Sequence, residues 1–281
     1  MSGSTKAWFF LLLLASLILL AGHSLGGRQG LLWALVIALS VNSLVYFYSD
    51  LRILSLFSGR RLEGRDPWGA LELTKALCKK HRIPMPQIIV LEEPSPQALA
   101  LGRNWNHSSI ILTQGLLDHF SRRELRAVLA YQLATIQRQE TFAFAVAASF
   151  TDLIMSMAWH LDRLWSLLLG IRQSQDSARK GHFFSWLLSP LAAGLLRFSV
   201  GPSNYYALDA LASEISEDSQ AVAEVLWKLQ SFASTLPLLV PVSQAHLFMV
   251  NPLTKPGWSR YFQVQPETKR RIERLVGHYP I

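Results

Sequence analysis

Ser121-Arg-Arg-Glu124-Leu-Arg-Ala-Val-Leu-Ala-Tyr131-Gln132-Leu-Ala-Thr135-Ile-Gln-Arg-Gln-Glu-Thr141 is a helix whose start is written into its own residues. Ser121 and Glu124 stand at capping-box spacing, where the serine hydroxyl takes the amide three residues on and the glutamate reaches back to the serine amide. Leu125, Val128 and Leu129 then recur at helical period. Tyr131 and Thr135 are four apart and share a face, with Gln132 beside the first.

Upstream of this helix the pattern is that of a small α+β unit. Pro67 to Arg82 reads as an amphipathic helix that Ile83-Pro-Met-Pro86 stops. Gln87-Ile-Ile-Val-Leu91 and Ser108-Ser-Ile-Ile-Leu-Thr113 read as strands, joined by a stretch, Pro94 to Asn106, that reads as a connection. Downstream, the chain is apolar from Thr141 through Trp159 and again from Phe183 to Val200. Tyr205 to Leu229 reads as one amphipathic helix, and Gln265 to Leu275 ends in a short basic helix.

Half of the 281 residues are hydrophobic, which suits a lipid-embedded protein with one globular domain. Ala7 to Gly22 carries no charge, and neither does Leu31 to Tyr48. Each approaches the ~20 apolar residues a spanning helix needs. Lys6 alone precedes the first run, a poor basic region for a cleaved signal peptide, so the two runs are expected to form a retained transmembrane hairpin. Arg28 is the one basic residue between them, whereas Arg52, Arg60, Arg61 and Arg65 crowd the exit of the second. The positive-inside bias then places the N-terminus and the main domain in the cytoplasm. The apolar segments within 141–200 are two further spans or a hairpin lying in the interface, joined through Arg172 to His182; four membrane helices in all are expected.

The formal net charge of +8 suits a domain held against an anionic leaflet. Nucleic acid is not an expected partner, because no basic run with interleaved aromatics, helix-turn-helix pattern or zinc-finger spacing accompanies the charge. The lone Cys78 excludes an intramolecular disulfide and any C-x-x-C site, and its place beside Lys79 and Lys80 reads as solvent-facing. The histidines His23, His81, His107, His119, His160, His182, His246 and His278 include no pair three, four or five apart, so none forms a helical chelate.

The order of these features resembles the HtpX-like family of membrane-embedded zinc metallopeptidases. The resemblance rests on the double N-terminal span, Ile83-Pro-Met-Pro86, Ser95-Pro-x-Ala98-x-Ala100-x-Gly-Arg103, Leu112-Thr-x-Gly-Leu-Leu117 and Glu124-Leu-x-Ala-Val-Leu-Ala130. It continues through Tyr206-x-x-Asp209-Ala-x-Ala212, Asn251-Pro-Leu253 and Pro266-x-Thr-x-x-Arg271-Ile-x-x-Leu275. It implies a mainly helical α+β membrane protein. The N-terminal hairpin would occupy 1–50, and a zincin-like cytoplasmic domain with a small sheet 51–140 and 201–281. The second apolar hairpin, 141–200, would interrupt that domain.

The chain departs from the family where the chemistry should be. An H-E-x-x-H helix holds Zn²⁺ with imidazoles at i and i+4 and uses the glutamate as general base. Those places read Tyr131, Gln132 and Thr135. The third ligand, a glutamate in the family, is Tyr205, the histidine of the closing segment is Gln265, and the family's Asn-Ala-Phe-Ala stretch, near the substrate strand, reads Gln97, Ala98, Leu99 and Ala100. Asp209 matches an aspartate that steers a zinc ligand; with the ligand gone, its plainer roles are to cap a helix or pair with a base. The two tyrosines and the glutamine are expected to fill the volume of metal and water as packed core. The resemblance with these gaps implies a pseudopeptidase without zinc or catalytic residues in the bacterial inner membrane, binding or scaffolding a protein partner in quality control or a membrane complex. Residues 97–100 would offer a peptide-binding sheet edge, since main-chain pairing needs no metal. The alternatives are an active metallopeptidase with a non-standard ligand set and a purely structural subunit whose groove is closed.

Overall fold

The computed structural model describes residues 3–55, 59–64, 66–168, 183–238, 240–253 and 263–277. Arg65, the link Arg172–His182 and His278 lie outside them. The described chain is mostly helical, with one small mixed sheet.

Helix α1 (Gly3–Ser55) is two helices joined at a kink, where Gly26 and Gly27 leave helical geometry and Gly27 takes φ 53°. A left-handed residue costs glycine nothing, and so the chain turns back there. The limbs then close on each other. A Cβ on Gly30 would lie 2.1 Å from the Gly22 carbonyl oxygen, and the Asn42 side-chain amide donates to the Leu11 carbonyl at 3.3 Å. Small residues at the crossing and one interhelical hydrogen bond are what hold helices together where the solvent is as apolar as the side chains.

Three helical stretches, 7–45, 140–168 and 183–216, are long and apolar enough to cross a membrane, the first being this hairpin. In α5 (Glu140–Leu168) and α6 (Phe183–Ser199), Leu153, Met157, Trp159, Trp186 and Leu191 point outward. The one buried carboxylate at the far end of α5 is Asp162. It accepts from the Phe184 and Ser185 amides at 2.7 and 3.0 Å and from the Ser185 hydroxyl at 2.6 Å, capping α6 across the hairpin.

The sheet has the order β1-β2-β4-β3, from β1 (Gly59–Arg61), β2 (Gln87–Leu91), β3 (Ala98–Asn104) and β4 (His107–Thr113). β2 runs parallel to β4, and the other pairs are antiparallel. β3 corrects the reading of 94–106 as a connection: Ala98, Leu99 and Ala100 pair with Leu112, Ile111 and Ile110 and make the outer strand. Two further expectations give way. Cys78, on α2 (Ala70–His81), is 5% exposed rather than solvent-facing; it lies on the inner side of the helix with Thr74 and Leu77. The single helix expected from Tyr205 to Leu229 is two, α7 (Pro202–Ser216) and α8 (Ser219–Thr235). Glu217 at φ 59° breaks it, and Asp218 restarts it by accepting from the Ala221 amide at 2.9 Å.

α4 (Arg122–Gln137) follows the short α3 (Gln114–His119) and is the central element. The capping box is formed, with the Ser121 amide donating to Glu124 at 2.7 Å, and every residue from Ala127 to Ile136 is buried. β3, α2, α5, α7 and α8 all pack around it. A 3-10 turn (Val242–Leu247) and α9 (Thr268–Val276) complete the described fold.

Candidate functional site

Tyr131, Gln132 and Thr135 lie on the buried centre of α4, none more than 4% exposed. The Thr135 hydroxyl donates to the carbonyl of Tyr131 at 3.0 Å, the back-bond a hydroxyl makes when nothing else claims it. Nε2 of Gln132 has no hydrogen-bond partner among the described residues. Burial pushes the Tyr131 phenol well above its usual range, so it stays protonated.

Facing Tyr131 is an ion pair that is itself inside the protein. Arg271 of α9 and Asp209 of α7 are each 1% exposed, and they meet in a two-pronged contact, Nε to Oδ2 at 2.9 Å and Nη2 to Oδ1 at 2.6 Å. The guanidinium also donates to the Met249 carbonyl at 2.7 Å and the Tyr131 hydroxyl at 3.3 Å. It lies 5.7 Å from the ring centre of Tyr131 and 5.5 Å from that of Tyr205. Burial opposes its charge, but Asp209 and the phenol oxygens outweigh that and hold it protonated.

Tyr205 is fully buried and donates its hydroxyl to the His246 carbonyl at 2.9 Å. Next to it, Glu140 accepts from Asn204 at 3.1 Å, with both side chains buried. His246, 2% exposed, sets Nε2 3.0 Å from the Phe144 carbonyl, and burial pushes its imidazole down to about 4, so it is neutral at physiological pH. Gln265 donates Nε2 to the Phe248 carbonyl at 2.8 Å and to that of Ala245 at 3.5 Å.

Of the remaining predicted positions, Gln97 stands just before β3 and Ala98, Leu99 and Ala100 begin it, and all four are buried. Thr113 pins Gln97: its hydroxyl accepts from the Gln97 amide at 2.8 Å, and its own amide donates to the Gln97 carbonyl at 3.1 Å. The side-chain amide of Gln97 has no partner among the described residues. Leu99 forms an isolated antiparallel bridge with Phe248. The structure thus brings Tyr131, Tyr205, Asp209 and Gln265 to one buried polar cluster, and β3 reaches it through Phe248.

Reading the sequence for a site passed over Arg271, His246, Glu140 and Asn204. A signal for Arg271 exists, since it stands beside Ile272 on the buried side of a helix whose other side holds Lys269, Arg270 and Glu273. His246 carries none, because a single histidine is indistinguishable from a surface one. Among the described residues no three His, Cys, Asp or Glu side chains are grouped so as to hold a metal ion.

Known proteins resemble this chain over most of its length. The model of peptidase family M48 matches residues 70–278. A protease HtpX homolog of Pelotomaculum thermopropionicum is 31% identical over 274 residues, covering 96% of this chain and 97% of that one. Another, from Polynucleobacter necessarius, is 31% identical over 277 residues, covering 95% and 94%. The crystal structure of S. mikatae Ste24p shares the fold at a TM-score of 0.52 and 16% identity, over 96% of this chain and 65% of that one. The residues of the cluster all fall within the matched region, and the chain belongs to peptidase family M48.

Proposed function

We propose that this chain is a catalytically silent M48 protein of the bacterial inner membrane, with its main domain in the cytoplasm, that binds or scaffolds a protein partner in quality control or a membrane complex. The observation that carries this reading is that Tyr131, Thr135 and Tyr205, at the ligand positions, are buried and hydrogen-bonded within the protein, to Arg271, to the Tyr131 carbonyl and to the His246 carbonyl. Zinc, which the family implies, is held by thiolate, imidazole or carboxylate. Tyr131 offers a protonated phenol, Thr135 a hydroxyl engaged with a carbonyl, and Tyr205 a phenol bonded to another carbonyl. Asp209 has both oxygens on Arg271, and Glu140 is engaged with Asn204. None of Tyr131, Thr135 and Tyr205 supplies a thiolate, imidazole or carboxylate, and the Asp209 carboxylate is committed to Arg271, so this donor set does not fit zinc. Gln132, where a general base would stand, has a carboxamide that neither takes up nor returns a proton at neutral pH.

The membrane placement is supported by the three apolar helical stretches and by the bacterial origin of the relatives, and the orientation by the arginines that follow the second apolar run. A purely structural subunit is the second reading, favoured by the bridge that closes Leu99 against Phe248.

Elemental analysis of the protein purified in mild detergent tests the proposal, together with a casein-degradation assay. Less than about 0.1 equivalents of zinc and no cleavage are expected, because a complete ligand set binds tightly enough to copurify. Near-stoichiometric zinc that a chelator removes, with casein cleavage lost alongside it, would establish an active peptidase with a different ligand set instead.

A further inference from the structure

We infer that Tyr205 and Gln265, with Arg271, form a latch that fastens the chain's own segment 245–249 across the outer edge of β3, so that the edge is closed to a peptide at rest. An unpaired edge strand presents a row of free amides and carbonyls that another chain can add to. Here another part of the chain meets that edge at Leu99. Leu99 is bridged to Phe248, and Ala245, His246, Leu247, Phe248, Met249 and Val250 are all buried, none above 5% exposed.

What holds the segment down is not a β-ladder, since the bridge at Leu99 is isolated. Its buried carbonyls must be satisfied in some other way. Four of them are met by side chains reaching in from elsewhere: Gln265 donates to Ala245 and Phe248, Tyr205 to His246, and Arg271 to Met249. His246 adds a contact in the opposite sense, its ring nitrogen to the Phe144 carbonyl of α5, and Ser243 anchors the start of the same 3-10 turn to Asp152. The latch therefore ties α5, α7 and α9 to the end of the 3-10 turn and the residues that follow it through a few side-chain bonds. An attachment of that kind releases as a unit when its donors are lost, whereas a ladder frays from its ends.

The inference rests on the catalytically silent reading, because a Tyr205 or Gln265 engaged with a metal would not be available to these carbonyls. It adds a consequence: the edge that could recognise an extended peptide is masked, and recognition there requires the segment to lift.

Hydrogen exchange of the full chain in detergent, parent against Tyr205→Phe, Gln265→Leu and the double variant, tests it. Both substitutions keep shape and remove the donor. In the double variant the amides of 245–250 and of Leu99 to Leu101 should exchange about tenfold faster or more, together, while those of β2, β4 and α4 keep their rates. Unchanged exchange in the segment overturns the latch. Faster exchange in the segment with an unmoved Leu99 overturns its role in closing the edge. If α4 loosens in parallel in the double variant, Gln265→Leu decides: its side chain is half-buried and its loss should raise exchange at 245–248 several-fold with α4 unmoved, and no rise there refutes the proposal. Zinc content of the same parent sample separates the two ideas. Bound zinc defeats the silent reading, whereas unchanged exchange in zinc-free protein defeats the latch alone.

Discussion

Asp209→Asn isolates the element that organises the site. The substitution keeps the shape and one acceptor but leaves the Arg271 guanidinium, 1% exposed, without its counter-charge. Two charge-assisted bonds of 2.9 and 2.6 Å are weakened or lost at once. Breaking a buried pair from one side costs about 3 to 5 kcal/mol, because the surviving charge has neither water nor partner. For a domain of this size each kcal/mol lowers the melting temperature by about 2 to 4 °C, so a drop of about 6 to 20 °C is expected. The double variant Asp209→Leu with Arg271→Met removes both charges and should recover most of the loss. It should stay about 1 to 3 kcal/mol below the parent, because the Met249 carbonyl loses its donor. Circular dichroism melts in one detergent at one scan rate make the comparison, since a membrane protein that unfolds irreversibly reports a rate as well as a stability. The reasoning is refuted if Asp209→Asn melts within about 2 °C of the parent. It is equally refuted if the double variant falls as far as the two single losses added, for then the residues are not coupled.

His246 should make the fold acid-sensitive. Its imidazole is depressed from 6.5 to about 4, so stability is complete above pH 6.5 and falls as pH drops from 6.5 towards 4; about 2.5 pH units at ~1.36 kcal/mol each comes to about 3 kcal/mol. The melting temperature of His246→Gln should fall less than the parent's between pH 7 and 4.5, and parallel curves would rule the contribution out. Cys78 should resist maleimide in the native protein. Burial raises its thiol to about 11 from 9.0, so at pH 8 the thiolate, and with it the labelling rate, is about a hundredfold below that of the unfolded chain; equal rates before and after denaturation would contradict its placement. Rebuilding the site needs a complete set. Tyr131→His, Gln132→Glu, Thr135→His and Tyr205→Glu together should bind zinc, whereas each alone should destabilise by about 1 to 3 kcal/mol without binding it. A folded quadruple variant with no more zinc than the parent would show that these positions are not the relic of a metal site.

Local chemistry made part of this molecule legible from residues alone. The capping box at Ser121 and Glu124 closes within one turn, the strands Gln87–Leu91 and His107–Thr113 are β-branched runs, and the hairpin of α1 turns at adjacent glycines. Each of these depends on neighbours a few residues apart, so pattern and propensity suffice. The strand Ala98–Asn104 is visible only through the family resemblance, which makes 97–100 a sheet edge; the residue pattern misses it because alanines, a glycine and an asparagine have weak strand preference, and pairing with β4 supplies what propensity lacks. The break between α7 and α8 had a signal in Asp218, a helix-starting residue inside an otherwise continuous apolar period. Burial of Cys78 turns on which side of α2 the rest of the protein covers.

The site belongs to a different class. Set against the family resemblance, Tyr131, Gln132, Thr135, Tyr205 and Gln265 stand out as poor zinc chemistry, because ligand chemistry is a property of the side chain itself. What those side chains do instead depends on partners far away in sequence: Asp209 on Arg271 62 residues on, Tyr205 on the His246 carbonyl 41 residues on, and Leu99 on Phe248. A hydrogen bond is decided by positions within a few tenths of an ångström, and at such separations those positions follow from how α4, α7, α9 and β3 pack, which no local pattern encodes.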